Sequence, residues 1–492
     1  MRSSKSRSYF VWSIFFIFLL FPLFVLHQIL ERLHVTLPSR RPDIVLITID
    51  TCRKDALGCY GESSSRSPTI DRFSRSNIQF LDCIAQCPTT APSHATILSG
   101  KDPAFHGIFS NGMPINGSVQ LVPEFFSRKG YLTAAFISGY SLIDRVTGLG
   151  RGFAVYDDEW STRTVERSGY DTTRAAIQWL RESDPGVPCF VWLHLFDPHS
   201  PYEPPESFRR TSLGSSSGLG MESHQAAYEK NAQAALGAGD FNVLVKDPTS
   251  LTATAMEIHM NWTNYLEEIA TVDRCIERFM VAFRCTGREK PLVVLTSDHG
   301  EGFEKNYFFG HGDRLWESAV AIPMIVQSQD RRSKPKLVNR LAHHIDVLPT
   351  LLEECKMNIE DDECQGINLL EMARSDQMRP EPFLFCSAPP LPRKKLSKGL
   401  MHAVYDSRFK MIFTVDQSDY SLFDLQSDPE ETKNAQFDYP QIYKGLIHAL
   451  NRRSENLSYP RDARFPDNLS SRETKQLQTL GYLDPDNEKK TR

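Results

Sequence analysis

Four continuous apolar runs rich in β-branched residues constrain the fold of this chain more than any other feature. Such runs are typical of strands covered on both faces, as in a parallel sheet. Between them lie amphipathic segments. One is a helical pattern from Pro68 to Phe80, and the clearest repeats apolar residues at three-to-four spacing over residues 265–283. Residues 209–254 have little strand character, which predicts an irregular, partly mobile excursion near the site entrance or a plain surface linker. Alternating strands and helices predict an α/β fold with right-handed crossovers. The predicted strands are residues 44–49, 131–137, 189–196 and 292–296.

Three of these strands end in side chains that suit metal or proton chemistry. Asp50 follows the first strand, Asp197 and His199 follow the third, and Asp298 and His299 follow the fourth. Because ligands of open α/β sheets bind outside the carboxyl ends of the strands, we expect these side chains to share one site. Carboxylates with one imidazole suit calcium, magnesium, manganese or zinc. The alternative for each aspartate is a helix cap or loop anchor.

A second candidate feature is the run TTAPSHATILSG at residues 89–100. Pro92 and Gly100 are typical of the first and the trailing position of a short helix, which places Thr90 near its N-terminus. Free N–H groups there favour an anion, and a nearby cation would lower the pKa of the Thr90 hydroxyl and make it a nucleophile. His311, between two glycines, is a candidate proton donor to the leaving group, or else a solvent-facing loop residue.

The N-terminus predicts a membrane anchor. Residues 9–26 are apolar apart from Ser13 and Pro22, and basic residues precede them. About 18 residues can span a bilayer, so we expect a transmembrane helix within residues 1–30 and the remaining chain outside the cytoplasm, periplasmic or extracellular. A cleaved signal peptide is the alternative. The net charge of −5 argues against a nucleic-acid partner.

The ten cysteines are compatible with an oxidising compartment. Three pairs are close enough in sequence to be candidate disulfides. These pairs are Cys83 with Cys87, Cys275 with Cys285, and Cys355 with Cys364.

Six motifs, taken in order, make the chain resemble the sulfatase family of the alkaline phosphatase superfamily over residues 42–484. They are IDTCRKDALGCYG, SPTIDRF, TTAPSHATILSG, FDPHSPY, TSDHGE and FDLQSDPEETKN. The resemblance implies a large α/β domain at residues 42–380, with a mostly parallel central sheet flanked by helices. A smaller C-terminal α+β subdomain would follow at residues 381–485.

The resemblance also implies roles for the candidate residues. The cation, calcium first by family, would be held by Asp50, Thr90, Asp298 and His299. The predicted catalytic residues are Thr90, His94, His199 and His311. The predicted substrate contacts are Asp197, His199 and His311.

Two departures from the family pattern bear on the chemistry. Sulfate-cleaving members convert a Cys or Ser, in a box that ends in Arg, to formylglycine, whereas this chain has Thr90 and His94. Oxidation of threonine would give a ketone, and threonine nucleophiles occur in relatives that act on phosphate esters. Thr51 stands where many members have a second metal-binding aspartate.

The predicted function is therefore metal-dependent hydrolysis of sulfuric or phosphoric esters, on a small-molecule, glycan or lipid substrate. Two alternatives stay open: a transferase of phospho-head groups to a lipid or glycan, and a catalytically silent protein that binds anions or glycans. The oligomeric state is not predicted.

Overall fold

The computed structural model describes most of the chain beyond its first forty residues. The described residues are 41–63, 66–160, 166–206, 248–304, 307–308, 310–312, 314–357, 364–375, 384–388, 401–406, 408–414, 420–454, 470 and 474–476. Among them, no helix combines the length and apolar composition needed to cross a bilayer. The anchor predicted within residues 1–30 lies outside the described residues.

An eight-stranded sheet forms the centre of the fold. Its strands are β1 (Ile44–Ile49), β2 (Ile78–Phe80), β4 (Leu132–Phe136), β5 (Val155–Asp157), β6 (Cys189–Leu195), β7 (Leu292–Ser297), β10 (Met324–Gln327) and β11 (Lys336–Val338). Their order across the sheet is β11-β2-β10-β7-β1-β6-β4-β5. Among these eight strands only β10 is antiparallel to the others, so the expectation of a mostly parallel sheet is confirmed. Two-stranded pairs are formed by β3 (Cys83–Ile84) with β12 (Ala342–His343), and by β8 (Phe303–Glu304) with β9 (Tyr307–Phe308).

Helices cover both faces of this sheet. The described α-helices include α1 (Pro68–Arg75), α2 (Thr90–Ser99), α3 (Pro103–His106), α4 (Val122–Arg128), α5 (Asp144–Thr147), α6 (Gly169–Glu182), α7 (Pro248–Cys285), α8 (Glu317–Val320), α9 (Val347–Glu354), α10 (Leu369–Arg374) and α11 (Pro440–Ser454). Side chains alternate along β1 and β6, so Leu46 and Trp192 pack on the face of α2 while Ile47 and Leu193 pack on the face of α6 and α7. Burial on both faces explains the continuous apolar runs.

The C-terminal part contains a four-stranded antiparallel sheet, as an α+β subdomain requires. Its strands are β13 (Leu384–Ala388), β14 (Met401–Tyr405), β15 (Phe409–Thr414) and β16 (Tyr420–Asp424). Leu446 and Leu450 of α11 pack on one face of this sheet, and Leu315 and Ala319 pack on the other. The boundary between residues 380 and 381 stays a prediction.

Two local predictions are wrong. The helix expected from Pro68 to Phe80 ends at Arg75, and Ile78–Phe80 forms β2 between β10 and β11. The side-chain amide of Asn77 donates to the Phe73 carbonyl at 2.8 Å, at the end of the helix. Beyond it, pairing of β2 with β10 and β11 outweighs the helical spacing of the apolar residues. The irregular segment expected at residues 209–254 lies outside the described residues up to 247, but α7 already begins at Pro248.

The predicted disulfides are also wrong, because none of the three predicted cysteine pairs is joined by a disulfide in the structure. Cys275 and Cys285 lie on one helix, α7, where ten residues span about 15 Å. That separation exceeds the Cα distance of about 7 Å at which a disulfide can form.

Candidate active site

The ends of β1 and β7 bring three predicted metal ligands together. Ile49 pairs with Ser297, so Asp50 and Asp298 emerge side by side from neighbouring strands. One potential ligand atom from each of Asp50, Asp298 and His299 lies within 4.8 Å of the others, and all three side chains are buried. The expectation that distant strand ends meet at one place is therefore met for these residues.

The donor atoms of this cluster suit a divalent cation. Both carboxylate oxygens of Asp50 and Oδ2 of Asp298 have no hydrogen-bond partner among the described residues. Nδ1 of His299 lies 2.9 Å from the Gly300 carbonyl, which can only accept, so Nδ1 carries the hydrogen and Nε2 keeps its lone pair. Buried oxygens without donors and an unprotonated imidazole nitrogen are the groups that a hard or borderline cation binds.

The pKa shifts of these three residues also favour a bound cation. Burial is the main cause that raises the pKa of Asp50 to about 7. Burial, followed by the charge of Asp50, raises the pKa of Asp298 well above its usual value. Burial lowers the pKa of His299, which keeps its imidazole neutral. Two buried carboxylates side by side are unfavourable without a compensating positive charge.

Thr51 connects the two strand ends in a strained conformation. Its φ of 51° is in the left-handed region, which a β-branched residue rarely adopts. The Thr51 N–H donates to Oδ1 of Asp298 at 3.1 Å, and the Thr51 carbonyl accepts from the Tyr265 hydroxyl at 2.8 Å. The Thr51 hydroxyl oxygen is buried without a partner among the described residues. It therefore offers a neutral oxygen directly after Asp50.

Thr90 lies at the start of α2, against this cluster. The helix begins at Thr90 itself, two residues before the predicted start, and ends at Gly100, whose φ of 64° is the usual left-handed cap. The buried Thr90 hydroxyl oxygen is 3.5 Å from Nε2 of His299. The next N–H of this first turn, that of Ala91, donates to Asn111 at 2.7 Å.

His311 and His199 face the same cluster. The ring of His311 lies 4.4 Å from that of His299 and 5.0 Å from that of His199. Nδ1 of His311 is 3.3 Å from a carboxylate oxygen of Glu301. Burial alone would lower the pKa of His311, but the Glu301 charge, helped by Asp50 and Asp298, raises it above the usual value. The surroundings of His311 therefore favour its cationic form.

His199 has the opposite character. Its Nδ1 donates to the Ser200 carbonyl at 2.7 Å, and its ring stacks on Phe196 at 4.4 Å. Burial, and then the nearby His311, lowers the pKa of His199 to about 4. The ring is therefore neutral at pH 7, with a lone pair on Nε2.

Asp197 and His94 make their hydrogen bonds to groups outside the carboxylate cluster, and Nδ1 of His94 also lies 3.7 Å from Oδ2 of Asp298. Asp197 accepts from the Gly169 N–H at 3.0 Å, where it caps the start of α6, and burial raises its pKa to about 6. Nδ1 of His94 bonds the Thr90 carbonyl at 2.8 Å, and Nε2 lies 3.0 Å from the Thr48 hydroxyl. Burial, and then His194, lowers the pKa of His94 well below its usual value.

Two residues of the site have no role in the sequence-based prediction. Glu301 is fully buried beside His311, and its place directly after the Asp298 motif was an available signal. His194 lies inside β6, with Nε2 3.4 Å from Oδ2 of Asp50. A histidine within an otherwise apolar core strand is the signal that could have identified it.

Comparisons with known proteins show which proteins this chain is similar to. The sulfatase family profile matches residues 42–355, and the profile of the N-sulphoglucosamine sulphohydrolase C-terminal region matches residues 306–458. The chain is 23% identical to the N-acetylglucosamine-6-O-sulfatase of Bacteroides thetaiotaomicron, over 84% of this chain and 86% of that protein. It is 20% identical to an arylsulfatase of Clostridium perfringens, over 80% of this chain and 90% of that protein.

Solved structures show the same fold. One is a protein in complex with its substrate D-glucosamine-2-N,6-O-disulfate, with a TM-score of 0.67 and 20% identity, covering 85% of this chain and 98% of that one. Another is the phosphonate monoester hydrolase of Agrobacterium radiobacter, with a TM-score of 0.65 and 19% identity, covering 85% of this chain and 96% of that one.

Proposed function

This chain belongs to the sulfatase family, a family of ester hydrolases, and we propose that it hydrolyses sulfate esters with the Thr90 hydroxyl as covalent nucleophile. The observation that carries the proposal is the placement of Thr90 at a helix N-terminus, 3.5 Å from Nε2 of His299 in the buried carboxylate cluster. A helix N-terminus favours the anionic sulfate group.

We further propose that Asp50, Asp298 and His299 hold a divalent cation, with Thr90 beside it. The assignment is supported by the three carboxylate oxygens that have no hydrogen-bond partner among the described residues, and by the unprotonated Nε2 of His299. Calcium is the first candidate from the family resemblance, and magnesium, manganese and zinc stay open. When bound, the cation would lower the pKa of the Thr90 hydroxyl and offset negative charge on the sulfate oxygens.

The histidines divide the proton transfers between them in this proposal. The Thr90 oxygen, with its proton given up to solvent, bonds to sulfur as the bond from sulfur to the ester oxygen breaks. His311 in its cationic form donates its Nε2 proton to the departing ester oxygen, which leaves as the alcohol. Glu301 holds His311 in its charged form. Water then attacks sulfur, one of its protons passes to Nε2 of His199, and the bond from sulfur to the Thr90 oxygen breaks. Thr90 is released as it entered the reaction, and the His199 proton returns to His311, whose ring lies 5.0 Å away. A cationic acid and a neutral base, kept distinct by their surroundings, suit these two steps.

The substrate class follows from the relatives by analogy. One relative is named for a sulfated amino sugar, and one structural neighbour contains a disulfated glucosamine. We therefore propose a sulfated carbohydrate. A phosphoester is the second candidate, because Thr90 cannot form the aldehyde of sulfate-cleaving members and a phosphonate monoester hydrolase shares the fold. An extracytoplasmic, membrane-anchored location remains a proposal, to be tested by fractionation of cells that express the full chain.

The test is turnover of aryl sulfate, aryl phosphate and aryl phosphodiester by the purified protein, with divalent cation and with chelator. We expect the sulfate ester to be cleaved, and Thr90→Ala to lower kcat at least about 10³-fold, as the loss of other nucleophiles does. Thr96→Ala is the matched control, since Thr96 lies on the same helix and bonds Pro92 and His106.

Each other outcome has a distinct meaning. Activity that survives in Thr90→Ala refutes the nucleophile, and preference for a phosphoester selects the second candidate. Transfer to an added alcohol, with little free sulfate or phosphate, indicates a transferase. Stabilisation by an anionic sugar without any turnover indicates a binding protein.

A further inference from the structure

We infer that His94 is a positioning residue for Thr90, tying the first turn of α2 to strands β1 and β6, and that it does not contact the substrate. The inference rests on the nucleophile role proposed for Thr90. It gives His94 a different role from the catalytic one that its place in the sequence motif predicts.

The direction of each hydrogen bond around His94 follows from its partners. The indole N–H of Trp192 can only donate, and it donates to the Thr48 hydroxyl oxygen at 2.9 Å. The Thr48 hydrogen is then available for Nε2 of His94, 3.0 Å away. With Nε2 accepting, the hydrogen of neutral His94 is on Nδ1, which donates to the Thr90 carbonyl at 2.8 Å. All four residues are fully buried.

This chain of bonds couples the nucleophile to the strand that carries a proposed cation ligand. Thr48 is two residues before Asp50 on the same strand end, and the Thr90 carbonyl belongs to the residue that bears the hydroxyl. The His94 ring is also held between Trp192 and His194, at centroid distances of 5.3 and 4.9 Å. With both ring nitrogens bound, His94 sets the position of Thr90 relative to Asp50.

Two variants separate the bonds made by the two ring nitrogens. In His94→Asn the side-chain amide can replace Nδ1 and still donate to Thr90, whereas in His94→Gln the longer amide can replace Nε2 and bond Thr48. We expect His94→Gln to lower kcat about 10²-fold, as a small misplacement of reacting groups does. We expect a loss of the same order in His94→Asn, because each variant breaks one of the two bonds that link Thr90 to Thr48. KM should stay near wild type in both, because neither lost group contacts the substrate.

His106→Asn is the control for removing a buried histidine that bonds α2 from a neighbouring helix. His106 bonds Thr96 of α2 at 3.1 Å and makes none of the contacts described for Thr90. We expect it to lower stability and leave kcat unchanged. Wild-type kcat in either His94→Gln or His94→Asn would overturn the inference. If Thr90→Ala is inactive at the same time, the proposed function stands.

A measurement without turnover tests the bonding pattern itself. In protein labelled with ¹⁵N-histidine, the His94 signals are identified by their loss in His94→Asn. We expect a protonated Nδ1 and an unprotonated Nε2, and Thr48→Val should weaken that preference. The opposite tautomer, or an imidazolium, in the folded wild type would refute the positioning role even if the variants were too unstable to assay.

Discussion

Asp298→Asn is expected to stabilise the cation-free protein and to remove its response to divalent cations. Oδ1 of Asp298 accepts from the N–H groups of Thr51 and His299, at 3.1 and 2.8 Å, and an asparagine oxygen can keep both bonds. The amide nitrogen would replace Oδ2, which has no partner among the described residues. The substitution therefore removes one buried titratable group with little change of shape.

The size of this stabilisation follows from the free-energy cost of ionising the buried Asp50. Burial raises the pKa of Asp50 from 3.8 to about 7. At about 1.4 kcal/mol per pH unit, ionising it costs the folded state about 4 kcal/mol above pH 7. A carboxylic acid with a raised pKa stabilises the fold at low pH, and this contribution is lost as pH rises from about 4 to 7. An amide N–H beside Asp50 should recover about 1.5 kcal/mol or more at pH 7.5.

Cation binding is expected to make the wild type more stable than Asp298→Asn, the reverse of the order without cation. A cation at a hundred times its Kd stabilises the wild type by about 2.7 kcal/mol. At the same concentration the variant, with one carboxylate fewer, should gain little. The assay is urea unfolding at pH 7.5, followed by tryptophan fluorescence, in chelator and with each of calcium, magnesium, manganese and zinc.

Asp273→Asn is the matched control, because Asp273 is a buried carboxylate that accepts from the N–H groups of Thr69 and Ile70 at 3.0 and 2.8 Å, away from the cluster. Its stability change should be the same with and without cation. Equal stabilisation of wild type and Asp298→Asn by a cation would refute the assignment of Asp298 as a ligand. A wild type that responds to none of the four cations would refute the site as a whole.

Three further predictions concern positions around the site and in the core. Lys410→Met should lower the free energy of unfolding by about 3–5 kcal/mol in urea titrations, because the fully buried Lys410 ammonium lies 3.0 and 2.7 Å from two glutamates. The exposed Lys433→Met should change it by less than about 1 kcal/mol. Gly300→Ala should lower kcat about 10²-fold, because a methyl group there would collide with a carbonyl of α8, whereas Gly445→Ala meets open space and should not. Burial lowers the pKa of His106 to about 3, so the unfolded chain takes up a proton first as pH falls below about 6.5. Stability should then decrease by up to about 1.4 kcal/mol per pH unit from this group, and His106→Asn should show a correspondingly smaller slope.

Sequence reasoning predicted the α/β fold and the meeting of Asp50, Asp298 and His299. Both follow from local rules, because a strand buried on both faces must be apolar throughout and parallel strands end at one edge of a sheet. The same local rules placed the end of α1 wrongly, since residues 76–80 look helical in isolation. Their pairing with β10 and β11 is made by segments more than two hundred residues away.

The amino-acid sequence alone determined which side chains reach the carboxyl edge of the sheet and that a hydroxyl begins a helix beside them. Only the tertiary structure decided how each side chain is used. It turned Asp197 toward α6, bound both nitrogens of His94, set His311 against Glu301 and left Cys275 and Cys285 too far apart to join. The physical reason is that the hydrogen-bond partners, burial and protonation of a side chain depend on groups from distant segments. Strand and helix patterns, in contrast, depend on residues that are neighbours in the sequence.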